Sequence, residues 1–147
     1  MTDTTIVRRV CVDQSQSLSK ALDATGRKRR ERPDWESVPC GEGYSEVEVV
    51  FFRVGRGISL DDMEKEYERR GLTPADPQSL AKVNEDDPAF ADYYPNGTQW
   101  KDVHGAWCTI TFCSWDGWGV IVDRSNSGWN GGRWLAGIRG HVPATET

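Results

Sequence analysis

Cys108 and Cys113 stand five residues apart, an odd interval that puts them on opposite faces of a regular strand, so one metal ion could not hold both without a bulge. Buried small thiols are the expectation. Asp123, Ser125, Ser127 and Gly128 share the spacing of half a calcium loop, yet serines replace the carboxylates and Trp134 stands where the bidentate Glu belongs. A Gly-rich hairpin loop explains the same letters. His104 sits beside Gly105 in an expected turn and His141 in the tail, neither next to a nucleophile. The carboxylates at 61, 62, 64, 66 and 68 read as the wet face of a helix rather than an acid–base pair. Gly55-Arg56-Gly57 and Gly131-Gly132 lack the Lys-Ser/Thr of a phosphate loop. No catalytic residue, metal site or cofactor is expected.

Binding chemistry is better supplied. Seven tryptophans offer large contact area at low entropic cost. Trp100, Trp115, Trp118 and Trp129 are the expected binding residues, with Trp115 and Trp118 exposed beside a hairpin turn and Trp129 exposed in a loop of Ser, Asn and Gly. Trp107 is assigned to the core. A second candidate is the basic arm of residues 27–32, Arg27-Lys28-Arg29-Arg30-Glu31-Arg32, where cations beside Trp35 could track a phosphate backbone while the indole stacks on a base.

Charge weighs against the arm. The formal net charge is −5, and residues 58–103 carry 5 Lys/Arg against 11 Asp/Glu. Such a chain has no global attraction to nucleic acid or to an anionic membrane. Four cysteines are far below a disulfide scaffold and are expected as reduced thiols. The start, MTDTTIVRRVCVD, lacks the basic-then-apolar layout of a secretory signal, and a cytoplasmic location is expected.

The elements that must position these residues follow from patterning. A single domain is expected over 1–147, with a mobile connection at 27–43, where Pro33, Pro39, Gly41 and Gly43 break any period, and a frayed tail at 140–147. Residues 5–13 read as a strand, after which Asp13 or Ser15 can cap a short helix through Leu18, Ala21 and Leu22 that ends at Gly26. Residues 45–54, SEVEVVFFRV, predict a strand wet at its start and buried on both faces toward its end, central in its sheet. Ser59 should cap a helix to Arg70 whose Leu60, Met63 and Tyr67 pack inward. Asp76-Pro77 and Asp87-Pro88 each pair a cap with a first-turn proline, and Tyr94-Pro95-Asn96-Gly97 reads as a tight turn.

The rest is β. Asp116-Gly117 predicts a two-residue hairpin turn that places Trp115 opposite Trp118, Cys113 opposite Val120 and Thr111 opposite Val122. A similar turn at His104-Gly105 would set Trp100 opposite Thr109 and bring Trp100, Trp107, Trp115 and Trp118 to one face. A last strand is expected at 133–139.

The run GLTPADPQSLAKVNEDDPAFADYYPNGTQWKD, continuing through GAWCTITF to RWLAGIRG, resembles a group of small bacterial proteins. The resemblance implies a bacterial cytosolic protein and carries no activity, ligand or site residue with it. The expected fold is α+β, a mainly antiparallel sheet with a C-terminal hairpin meander packed against the short helices of residues 58–93. The expected function is a non-catalytic binding or interaction module for a protein or small-molecule partner. A small enzyme with a cleft near the same tryptophans comes second, and a nucleic-acid binder through 27–32 third. Three or more polar or titratable groups gathered in one pocket with the tryptophans would favour the enzyme, and a flat aromatic surface the module.

Overall fold

Helices begin where a side-chain oxygen meets their first amides. In the computed structural model, which describes residues 4–31, 43–115, 117–124 and 128–139, Ser17, rather than Asp13 or Ser15, accepts from Lys20 N ahead of α1 (Leu18–Ala24), and Ser59 accepts from Asp62 N ahead of α2 (Leu60–Arg69). Asp76 accepts from Ser79 N ahead of α3 (Pro77–Asp86), with proline in the first turn as expected. The second Asp-Pro pair behaves differently. Asp87 closes α3, and α4 (Phe90–Tyr93) starts behind Ala89 without a side-chain cap.

The strands are β1 (Ile6–Asp13), β2 (Arg29–Glu31), β3 (Tyr44–Phe52), β4 (Leu72–Pro74), β5 (Asn96–Lys101), β6 (Trp107–Trp115), β7 (Trp118–Arg124) and β8 (Trp134–Arg139). They form one sheet in the order β1-β3-β8-β5-β6-β7-β2, with β4 also paired to β8. Among the described residues, only β2 with β7 and β5 with β8 run parallel. The architecture is α+β with a mainly antiparallel sheet. None of the helices is long and apolar enough to cross a membrane among the described residues.

Both faces of the sheet are covered. Val10, Val12, Val49, Phe51, Ile110, Phe112, Val120 and Val122 pack with Leu22 of α1, Leu80 of α3 and Phe90 of α4. Val50, Phe52 and Leu135 on the opposite face pack with Leu60, Met63 and Tyr67 of α2. The helices of residues 58–93 therefore split between the two faces. β3 is buried on both sides over its last four residues, as its unbroken apolar run predicts.

Two registers differ from expectation by one residue. Trp115 does face Trp118, but a bulge between Phe112 and Trp115 shifts the rest of the hairpin, so Phe112 faces Val120 and Ile110 faces Val122. The bulge sends all four apolar side chains to the α1/α3/α4 face, which the unshifted register would have split. At the other turn, Asp102 accepts from both His104 N at 2.8 Å and Ala106 N at 3.0 Å. This Asx-type lock makes the loop one residue longer than a His104-Gly105 turn, and Trp100 pairs with Cys108 while Lys101 pairs with Trp107. Trp100 and Trp107 therefore lie on opposite faces, not on one.

Residues 96 and 97 are also strand rather than turn. A Cβ on Gly97 would sit 2.5 Å from the Ile110 carbonyl oxygen and 2.8 Å from the Trp129 ring, so glycine here makes room for an indole lying on β5. Of the connection expected at 27–43, residues 27–31 are described and are held to the sheet. Arg29–Glu31 is β2, an edge strand along β7. Arg27 enters the same structure: its guanidinium donates to the carbonyls of Cys113 at 3.0 Å and Pro88 at 2.7 Å. Residues 32–42, with Trp35, and the tail from residue 140 lie outside the described residues.

Candidate functional site

The expected tryptophan face does not exist as one surface. Trp129 is 3% exposed, a correction to its assignment as a loop indole in water. Its Nε1 donates to Gln99 Oε1 at 2.8 Å, and Gln99 Nε2 donates in turn to the Leu60 carbonyl at 2.9 Å. Its backbone exchanges two hydrogen bonds with Ile58. A polar, Gly-rich loop thus carries one core side chain, and the glycine that accepts it, Gly97, is distant in sequence. The side chains of Trp115 and Trp118 lie outside the described residues, as do residues 125–127 of the calcium-like pattern. Trp100 is half-buried and Trp107 buried.

Trp100 and Trp107 nevertheless meet at one place, the fork in the sheet. β8 pairs with β5 only through Trp134 and Leu135, opposite Asn96 and Gly97. Farther along, Gly137, Ile138 and Arg139 pair with β4 instead. The segment that follows β4 is tied in by Ala75 N donating to the Ala136 carbonyl at 2.9 Å and by Thr98 Oγ1 donating to the Ala75 carbonyl at 2.8 Å. Beyond Thr98 the two strands diverge, and a cleft of about 350 Å³ opens between residues 74–77 and the end of β5. Because the cleft lies at the edge of β5, side chains from both faces of that strand border it. This is how Trp100 and Trp107, on opposite faces, come to line one site.

Three titratable groups share the cleft with the indoles: Glu64 of α2, Asp76 at the start of α3, and Lys101 at the end of β5. Glu64, expected on a mostly wet helix face, is half-buried and has no ion pair among the described residues. Its neighbour Glu66 is also drawn in, and hydrogen bonds from Arg69, joined by Arg70, hold its carboxyl below the usual range despite the opposing cost of burial. Asp76 is occupied as the α3 cap, accepting from both the amide and the hydroxyl of Ser79. Lys101 holds its ammonium 4.8 Å from the centre of the Trp107 ring, while Trp107 Nε1 donates to Asp61 Oδ1 at 2.7 Å. Trp100 Nε1 is buried and has no acceptor among the described residues.

The remaining candidates disperse. His104 is exposed in its turn, and Cys108 and Cys113 are buried. Among the described residues no three His, Cys, Asp or Glu side chains gather where a metal ion could be held. Of the basic arm, Arg27 is spent on main-chain carbonyls and Arg29 on Ser19 and Asp23. Glu64, Asp76 and Lys101 were not legible as a site because each has a sufficient local reading, as helix face, cap and strand end. No protein-family model, curated protein or solved structure matches the chain.

Proposed function

We propose that this protein is a binding module whose ligand site is the cleft at the sheet fork. The observation that carries the reading is a cleft of about 350 Å³ flanked by Trp100 and Trp107, within the size range of small-molecule sites. Its walls are held before any ligand arrives, by the Thr98–Ala75 hydrogen bond on one side and the Asp61–Trp107 bond on the other, so little ordering cost opposes binding. A bacterial cytosolic setting belongs to the same proposal. The role given to Trp129 by sequence passes to Trp107.

A small enzyme remains the second reading, favoured by the meeting of Glu64, Asp76 and Lys101 with two indoles. Binding ranks first on the chemistry of those groups. None of the described lining residues offers a thiol, hydroxyl or imidazole, and among the described residues no hydrogen bond or ion pair joins Glu64, Asp76 and Lys101 into a nucleophile–base pair. Fragment screening by NMR with labelled indole N–H groups tests the proposal. Hits should shift Trp100 and Trp107 and leave Trp134, which does not line the cleft, unmoved; hits that consistently perturb residues away from the cleft would overturn it, and turnover of a hit would promote the enzyme.

A further inference from the structure

Resting on the binding reading above, we infer that the cleft takes an organic cation, an apolar body bearing one protonated or quaternary ammonium. Trp107 supplies the first reason. An ammonium, that of Lys101, already lies 4.8 Å from the centre of its ring, so the face accepts a cation at this site. The indole N–H donates to the Asp61 carboxylate at 2.7 Å. A hydrogen bond to an anion polarises the donor and leaves the ring richer in electrons, which strengthens its hold on a positive charge.

The second reason is the charge at the rim. Two carboxylates, Glu64 and Asp76, and one lysine line the cleft, and Glu64 has no cation of its own among the described residues. The start of α3 could in principle favour an anion, but the Asp76 carboxylate sits on that helix end and offsets its partial positive charge. Engagement with Ser79 does not exhaust Asp76, since a carboxylate has about four lone-pair sites and can accept from an ammonium as well. The wider setting agrees, for residues 58–103 carry 5 Lys/Arg against 11 Asp/Glu. Lys101 then acts as an internal competitor: it occupies the Trp107 face in the empty cleft and must yield it when the ligand ammonium enters.

Three probes of matched size separate ligand class from the existence of the site: phenethylammonium, neutral 2-phenylethanol and anionic 3-phenylpropionate, each titrated while the indole N–H signals of Trp100 and Trp107 are followed. Phenethylammonium should bind most tightly and saturably. Glu64→Gln keeps the side-chain shape and Asp76→Asn keeps a good helix cap, so both variants should fold. Each should weaken phenethylammonium by about two- to fivefold and leave 2-phenylethanol unchanged, the size expected for partly exposed charge contacts. Lys101→Met should tighten the cation by a similar factor, because it frees the ring and removes a like charge. If 3-phenylpropionate binds as well as the cation, or Lys101→Met weakens the cation, the inferred ligand class is wrong while the cleft stands. If no probe moves either indole signal, both the inference and the binding reading fall.

Discussion

Replacing Trp129 by Ala separates a loop indole that waits for a partner from one that holds the fold together. The side chain is 3% exposed and lies over Gly97, where a Cβ would meet its ring at 2.8 Å. Truncation to Ala leaves a large cavity between β5 and α2, a change that costs about 3–5 kcal/mol for buried aromatics. It also strips the donor from Gln99 Oε1, whose residue is fully buried, and an orphaned acceptor of that kind adds about 1–3 kcal/mol. Against a total stability of roughly 5–15 kcal/mol, the loss is a large fraction. Urea denaturation at neutral pH measures it. Trp129→Phe serves as the partner variant, restoring most of the volume but not the N–H, and should recover more than half of the lost stability. Trp129 is core through its contacts with Gly97, Gln99 and Ile58. A loss below about 1 kcal/mol for Trp129→Ala would refute it, and with it the account of why a glycine stands at 97.

The other expectations follow from the same geometry. Gly97→Ala should destabilise by about 2 kcal/mol or more, because the nearest obstacle is the Ile110 carbonyl rather than a movable side chain; a neutral outcome in thermal unfolding would contradict the close approach. Burial pushes the Tyr67 hydroxyl above the ordinary tyrosine range while it donates to the Ala136 carbonyl at 2.9 Å. Its contribution to stability is therefore complete below the unfolded value of about 10 and declines above it. Stability measured between pH 9 and 12 should fall more steeply, by up to about 1.4 kcal/mol per pH unit, than in Tyr67→Phe, and equal slopes would show that the hydroxyl is not held neutral. Finally, limited trypsin digestion followed by mass spectrometry should find the bonds after Arg27 and Arg29 among the late cuts, since both side chains and the β2 backbone are engaged. Early cleavage after Arg27 would mean that β2 opens readily.

Sequence by itself determined the local structure, because local structure depends on near neighbours. Ser59 and Asp76 cap the helices expected of them, and the apolar run Val49 to Phe52 is a strand covered on both faces. The first helix, by contrast, is capped by Ser17 and not by Asp13 or Ser15, because several neighbouring oxygens could serve and only the folded chain fixes where the helix starts. The class, α+β with a mainly antiparallel sheet, follows from such elements in order. Tertiary structure decided what depends on pairing. A single-residue bulge before Trp115 and an Asx lock at Asp102 each moved a register by one, and in a strand one residue exchanges the faces. That exchange parted Trp100 from Trp107 within the sheet. The signal for the first shift was present in the letters, since only a bulge lets Ile110, Phe112, Val120 and Val122 share one apolar side. The cleft had no such signal. It exists because β8 divides one edge between β5 and β4, partners that lie on either side of α3 in the chain, and the division brings Glu64, Asp76, Trp100, Lys101 and Trp107 around one opening. Trp129 shows the same division of labour: its loop composition reads as exposed, while its burial is set by a glycine more than thirty residues earlier on a strand that only the folded chain places beneath it.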